Sequence, residues 1–102
     1  MILGIESSCD ETAAAICNDG NILSSIVSSQ QIHKDFGGVV PEVASREHER
    51  LLNHSVEKAL DEAKIALSDL DGIGVTQGPG LAGTLLTGVC FAKGLSQSLN
   101  IP

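Results

Sequence analysis

Aromatic side chains are almost missing from this sequence: it has two Phe, no Trp and no Tyr in 102 residues. Any core must therefore be built from Ile, Leu, Val and Ala. Basic residues are scarce as well. Six Lys and Arg stand against thirteen Asp and Glu, for a net charge of −7. Such a field repels phosphate backbones, so an RNA-facing surface would have to come from elsewhere. The three cysteines, Cys9, Cys17 and Cys90, form no CxxC pair and are odd in number. Neither a disulfide framework nor a zinc knuckle is indicated, and reduced cytosolic thiols are the simplest reading. The N-terminus has no basic residues and no long apolar stretch, which predicts no secretion signal. The longest apolar region, Leu81 to Leu99, is broken by Lys93, Gln97 and several Ser, Thr and Gly. It is too short and too polar for a membrane span and predicts a buried helix.

What the chain does have is glycine, 11 in all, which points to tight turns and close backbone approaches. Its length suits one small domain. Its densest chemistry is Gly4-Ile5-Glu6-Ser7-Ser8-Cys9-Asp10-Glu11-Thr12, where three carboxylates fall between two apolar segments. Such a cluster belongs in a turn at the mouth of a sheet, where carboxylates bind metal or orient a nucleophile. An acidic hairpin turn without chemistry accounts for the same residues.

The run Ile2 to Ile5 is continuously apolar and predicts a central strand. Thr12 to Cys17 reads as a second strand. Asn18-Asp19-Gly20 is a hairpin signal, and Asn21 to Ser29 reads as a third strand. Gln30 to Val40 reads as a loop, and Pro41 starts a helix, where its missing N–H is harmless. Glu42 suits the first turn of that helix. Ala44, His48, Leu51, Leu52, Ser55, Val56, Ala59, Leu60 and Ala63 recur on one face at helical spacing. Ser68 to Asp71 reads as a turn. Gly72 to Thr76 reads as a fourth strand, placed by a right-handed crossover parallel to its neighbour. Gln77-Gly78-Pro79-Gly80 is a tight loop before a second helix, from Leu81 or Ala82 to Leu99. That helix is apolar or small on nearly all sides and wants cover on more than one. Asn100-Ile101-Pro102 reads as the lead-in to another strand.

Several stations could carry chemistry. A strand, a sharp polar turn and an antiparallel strand resemble the phosphate site of actin-like ATPases and sugar kinases. There Glu6 would be the first-strand carboxylate, with Ser7, Ser8 and Thr12 as the hydroxyls. Gly78-Pro79-Gly80 ahead of a helix suits an anion, because the first N–H groups of a helix lack partners; a turn that makes room for a packed helix is the plainer account. Gly37-Gly38 before Pro41 suits a loop that closes over a ligand, or simply a helix lead-in. His48 and His54 lie six positions apart and do not share a helix face, so no metal pair is assigned, and His33 falls in a loop. Cys9 sits beside acids, which raise rather than lower a thiol pKa.

Three phrases in one order are more specific than any one of them. They are the acidic turn 4–12, then Gly37-Gly38-Val39-Val40-Pro41-Glu42-Val43-Ala44-Ser45-Arg46-Glu47-His48, then Thr76-Gln77-Gly78-Pro79-Gly80-Leu81. Together they resemble the N-terminal part of the tRNA adenosine threonylcarbamoyltransferase family, long described as O-sialoglycoprotein endopeptidases. No protease triad or HExxH supports the older label. The resemblance covers essentially the whole chain. It implies an α/β fold, the first half of an actin-like ATPase (ribonuclease H-like) fold: a mixed sheet opening with three antiparallel strands, then helix, parallel strand, helix. Residues 1–102 would form one truncated lobe of two.

The resemblance also implies a reaction, the transfer of threonylcarbamoyl from its adenylate to the adenosine beside the tRNA anticodon. Asp10 and Glu11 match the family's catalytic acidic pair. Gly78, Pro79 and Gly80 match a family loop, and substrate binding is inferred for them here. The family's divalent metal, iron or zinc, is held by a His-x-x-x-His motif and further residues beyond Pro102. This chain alone is therefore expected to hold no metal and no cofactor, and not to turn over. The implied partners are an inactive paralogous subunit, an ATPase subunit and, through other parts of the intact protein, tRNA. The setting is cytoplasmic, with no membrane. Uncovered helix faces predict self-association of the fragment. A non-catalytic dimerisation or scaffold module of the same complex is the alternative, although the inactive paralogue lacks the acidic pair and the Gly-Gly-Val-Val-Pro-Glu loop. A sugar or acetate kinase half would want a glycine-rich turn in place of Ser7 to Glu11.

Overall fold

The computed structural model describes the backbone of residues 1–8, 11–29 and 41–102, and side chains over 1–8, 11–28 and 50–102. Strands β1 (Ile2–Ser7), β2 (Glu11–Asn18) and β3 (Asn21–Ser29) run antiparallel in sequence. Helix α1 (Pro41–Ala63) follows, then a 3₁₀ turn (Leu67–Asp69), strand β4 (Gly72–Val75) and helix α2 (Ala82–Leu99). The sheet order is β3-β2-β1-β4, with β4 parallel to β1. β1 is thus an interior strand, as its apolar run predicts. The predicted loop 30–40, with His33, Gly37 and Gly38, lies outside the described residues. So do the side chains of Ala44 and His48, together with Cys9 and Asp10.

The turn chemistry accounts for the β2–β3 hairpin. Asp19 and Gly20 both have positive φ, 49° and 81°, as a two-residue type I′ turn requires. One register shift near Ile16 and Cys17 skips Leu23. Beyond it, Ser24 and Ile26 come round to the buried face.

Both helices pack on a single face of the sheet. Leu3 and Ile5 of β1, Ala14 and Ile16 of β2, and Ile26 of β3 meet Leu52, Val56, Ala59 and Leu60 of α1. Ala92 of α2 joins the same cluster. Along α1 the buried positions Leu52, Ser55, Val56, Ala59 and Leu60 repeat at three and four. Asn53, His54, Glu57, Lys58, Asp61 and Glu62 face water. Ser24 on β3 donates to the Ala59 carbonyl at 2.7 Å, which satisfies a hydroxyl inside this interface.

The opposite face of the sheet has no helix on it among the described residues. Burial in β1 therefore alternates although residues 2–5 are all apolar: Leu3 and Ile5 are buried, while Ile2 is 44% exposed. α2 also has an open side. Its buried residues are Thr84, Gly88 and Ala92, and Leu86 on the far side is 62% exposed. Beyond α2, Ile73 N–H donates to the Pro102 carbonyl at 2.8 Å, so the residues read as a strand lead-in already pair with the outer edge of β4. Among the described residues no helix is long and apolar enough to cross a membrane.

Candidate functional site

β1 and β4 are parallel neighbours, so their carboxyl ends lie side by side. Open α/β sheets bind ligands at such ends. The acidic turn leaves the sheet at the end of β1, and the Gln77 to Gly80 loop leaves it at the end of β4. The pairing thereby unites two stations that are far apart in sequence. Leu81 N–H donates to the Ser8 carbonyl at 2.7 Å, and Thr76 N–H to the Ile5 carbonyl at 3.1 Å.

Strand alternation then sorts the polar side chains between the two faces. Ser7 and Thr12, paired across β1 and β2, point under the helices and are 1% and 0% exposed. Ser7 Oγ donates to the Thr84 carbonyl of α2 at 2.9 Å. Neither is placed to meet a phosphate, which corrects the expectation that they serve as ligand hydroxyls. The reason is parity: each sits one residue away from a carboxylate and so lies on the other face. Glu6 and Glu11 occupy the open face, on either side of that pair in the register, with Glu11 exposed. Ser8, half-buried, follows β1 directly. Asp10, the other half of the expected acidic pair, lies outside the described residues.

Thr76 joins Glu6 on that face. Its Oγ1 donates to Glu6 Oε2 at 2.8 Å. The second carboxylate oxygen, Oε1, is buried and has no hydrogen-bond partner among the described residues. A buried acceptor left in that state costs stability unless a donor reaches it. Beside it the open face dips into a hollow of about 360 Å³, lined by Gly4, Glu6, Ala13, Ala15, Gly74 and Thr76. The hollow opens there because Gly4 and Gly74 pair in register and neither has a side chain to fill it. In the sequence Thr76 is marked only as a hydroxyl that follows an apolar strand.

A larger hollow, of about 790 Å³, lies elsewhere, along the outer edge of β4 and the second half of α2. No carboxylate lines it, and the chain at Ile101 and Pro102 forms one wall. None of the acidic-turn residues 4–8, 11 and 12 lines it. Among the described residues no group of three or more His, Cys, Asp and Glu side chains gathers to hold a metal. Gly78, Pro79 and Gly80 are all exposed, and α2 begins with Leu81 as an N-cap that offers no side-chain acceptor.

Residues 21–102 match the family described as tRNA N6-adenosine threonylcarbamoyltransferase, TsaD. Among curated proteins of that name, the one from Chlorobaculum tepidum is 60% identical over 99% of this chain and 29% of its own length. The one from Fusobacterium nucleatum is 60% identical over 100% of this chain and 30% of its own length. In overall shape the chain is similar to YeaZ from Pseudomonas aeruginosa, with a TM-score of 0.78 at 26% identity. That match covers 99% of this chain and 40% of the other. The chain thus spans under a third of the length of the curated relatives it matches.

Proposed function

The chain belongs to the tRNA N6-adenosine threonylcarbamoyltransferase family, and on that basis we propose that it is the N-terminal segment of such an enzyme. Its α/β fold, with a mixed four-stranded sheet, is that of the first part of an actin-like ATPase. The reaction would move threonylcarbamoyl from threonylcarbamoyl-adenylate to the adenosine next to the tRNA anticodon. The adenosine amine attacks the carbamoyl carbon, a C–N bond forms, and the C–O bond to the adenylate phosphate breaks. The amine gives up one proton as AMP leaves. Glu11, with Asp10, would accept that proton or orient the amine. The observation that supports this reading is the position of Glu11. It is exposed, on the open sheet face, at the start of β2 next to the carboxyl end of β1. The Gly78-Pro79-Gly80 loop would face the substrate.

The whole protein would be a two-lobed cytoplasmic enzyme, of which these residues form part of the first lobe. A divalent iron or zinc ion would be held by residues beyond Pro102. The described residues offer it no ligand cluster. The partners would be an inactive paralogous subunit, an ATPase subunit and tRNA. The outer side of α2 is the suited docking face: Leu52, Leu86, Thr87, Cys90 and Phe91 line a groove of about 330 Å³ between the helices. The same groove favours the second reading, a non-catalytic dimerisation module. By itself the segment would not turn over.

The test is a chimera in which residues 1–102 replace the matching stretch of the Chlorobaculum tepidum relative. Asp10→Ala with Glu11→Ala should abolish threonylcarbamoyl transfer to tRNA. Transfer at the parent rate in that double variant would sink the catalytic assignment and leave the dimerisation module standing.

A further inference from the structure

The loop after β4 does not merely lie near the end of β1; it is fastened to it. Leu81 N–H donates to the Ser8 carbonyl at 2.7 Å. Gly80 lies so close to Ser8 that a Cβ there would fall 2.4 Å from the Ser8 carbonyl oxygen, 2.8 Å from Ser8 Cβ and 3.0 Å from its carbonyl carbon. Real Cβ atoms do not approach so closely, and the atoms in the way are mainly backbone, which cannot swing aside. One residue earlier the fastening continues. Ser7 Oγ donates to the Thr84 carbonyl at 2.9 Å, and a Cβ on Gly88 would meet Ser7 Cβ at 2.9 Å. Gly78 differs: a Cβ there would meet nothing within 4 Å. The glycines of one short loop thus face different surroundings, Gly80 against Ser8 and Gly78 towards open space.

We propose that Gly80 and Leu81 are positioning residues. They clasp the Ser8 carbonyl and so set the point from which the acidic turn leaves β1. Substrate contact in this loop falls to Gly78 and Pro79. This inference rests on the transferase reading above and divides the loop that the reading assigns as a whole to substrate. A carboxylate reached through a turn is only as well placed as the start of that turn. A displacement of about 1 Å at a reacting group costs on the order of a hundredfold in rate.

Two measurements test it. The first is residue-resolved amide exchange on the 102-residue chain. The Leu81 amide should exchange slowly in the wild-type chain and on the order of tenfold or more faster in Gly80→Ala, with the core amides of Ile5 and Ala14 unchanged. The second is steady-state kinetics in the chimera. Gly80→Ala should lower kcat by roughly tenfold to a hundredfold and leave both KM values within about twofold. Gly78→Ala, which alters a substrate contact, should instead raise KM. A raised KM with unchanged kcat in Gly80→Ala would make Gly80 a substrate contact and overturn the proposal. So would a Leu81 amide that exchanges as fast as an unstructured one. An inactive parent chimera would count against the transferase reading, and the exchange experiment would still decide whether the clasp exists.

Discussion

At the scale of single residues, close approach sets the strongest constraints. Gly88 and Gly94 both lie inside α2 and look alike in the sequence. A Cβ at Gly88 would collide with Ser7, whereas one at Gly94 would meet nothing within 4 Å. Gly88→Ala should therefore destabilise the chain by roughly 1–3 kcal/mol, the cost of overpacking. Gly94→Ala should stabilise it by about 0.5–1 kcal/mol, the helix-propensity gain over glycine. Urea denaturation followed by circular dichroism measures both, and equal effects at the two sites would contradict the packing described. Glu6 is the second constrained residue. Thr76 holds its Oε2, and among the described residues no donor reaches its buried Oε1. That small residues in α2 permit close packing was legible in the sequence. Which glycine touches the sheet was not, because that depends on the rotation of the helix about its axis.

At the scale of elements, helix ends and the main helical interface are informative. α1 stops in a Schellman arrangement: Ile65 N–H donates to the Leu60 carbonyl and Lys64 N–H to the Asp61 carbonyl, both at 3.1 Å. The left-handed position there is Lys64, with φ 58°. Glycine takes that conformation without the steric cost, so Lys64→Gly should raise stability by up to about 1 kcal/mol in thermal or urea unfolding. α2 also ends on a left-handed residue, Asn100, with φ 56° and ψ 48°, and there the Asn100 and Ile101 N–H groups both donate to the Ser96 carbonyl. Within α1, Leu52 is 1% exposed and packs against the sheet and α2. Leu52→Ala should cost roughly 2–5 kcal/mol, read as a lower urea midpoint. The extents of α1 and α2 were legible from Pro41, from apolar periodicity and from the polar residues that follow. The partner of each face was not.

At the scale of the whole molecule, two apolar surfaces have no cover among the described residues. One is the open sheet face, with Ile2, Ile22 and Val27 at 44%, 66% and 59% exposure. The other is the outer side of α2 around Leu86. Surfaces of this kind drive association when nothing else covers them. The isolated chain should therefore form dimers or larger species as concentration rises, seen by light scattering. Leu86→Lys should shift that association to higher concentration. A clean monomer for the unaltered chain at high concentration would contradict the expectation. The net charge of −7 opposes association, so added salt should promote it.

The sequence by itself determined the elements, their order and the family, because those follow from local signals. A two-residue Asp-Gly turn sets the hairpin, a proline opens α1, period-four burial marks its face, and three phrases in fixed order mark the lineage. Tertiary structure alone decided which side of the sheet each polar residue serves. Ser7 and Thr12 looked like site hydroxyls beside Glu6 and Glu11, yet they lie under the helices. In a strand of period two the face of every residue depends on which side the helices cover, and no local signal carries that. The clasp between Gly80 and Ser8 has the same origin. It exists because β4 crosses back to lie parallel beside β1, a pairing that brings together residues the chain keeps far apart.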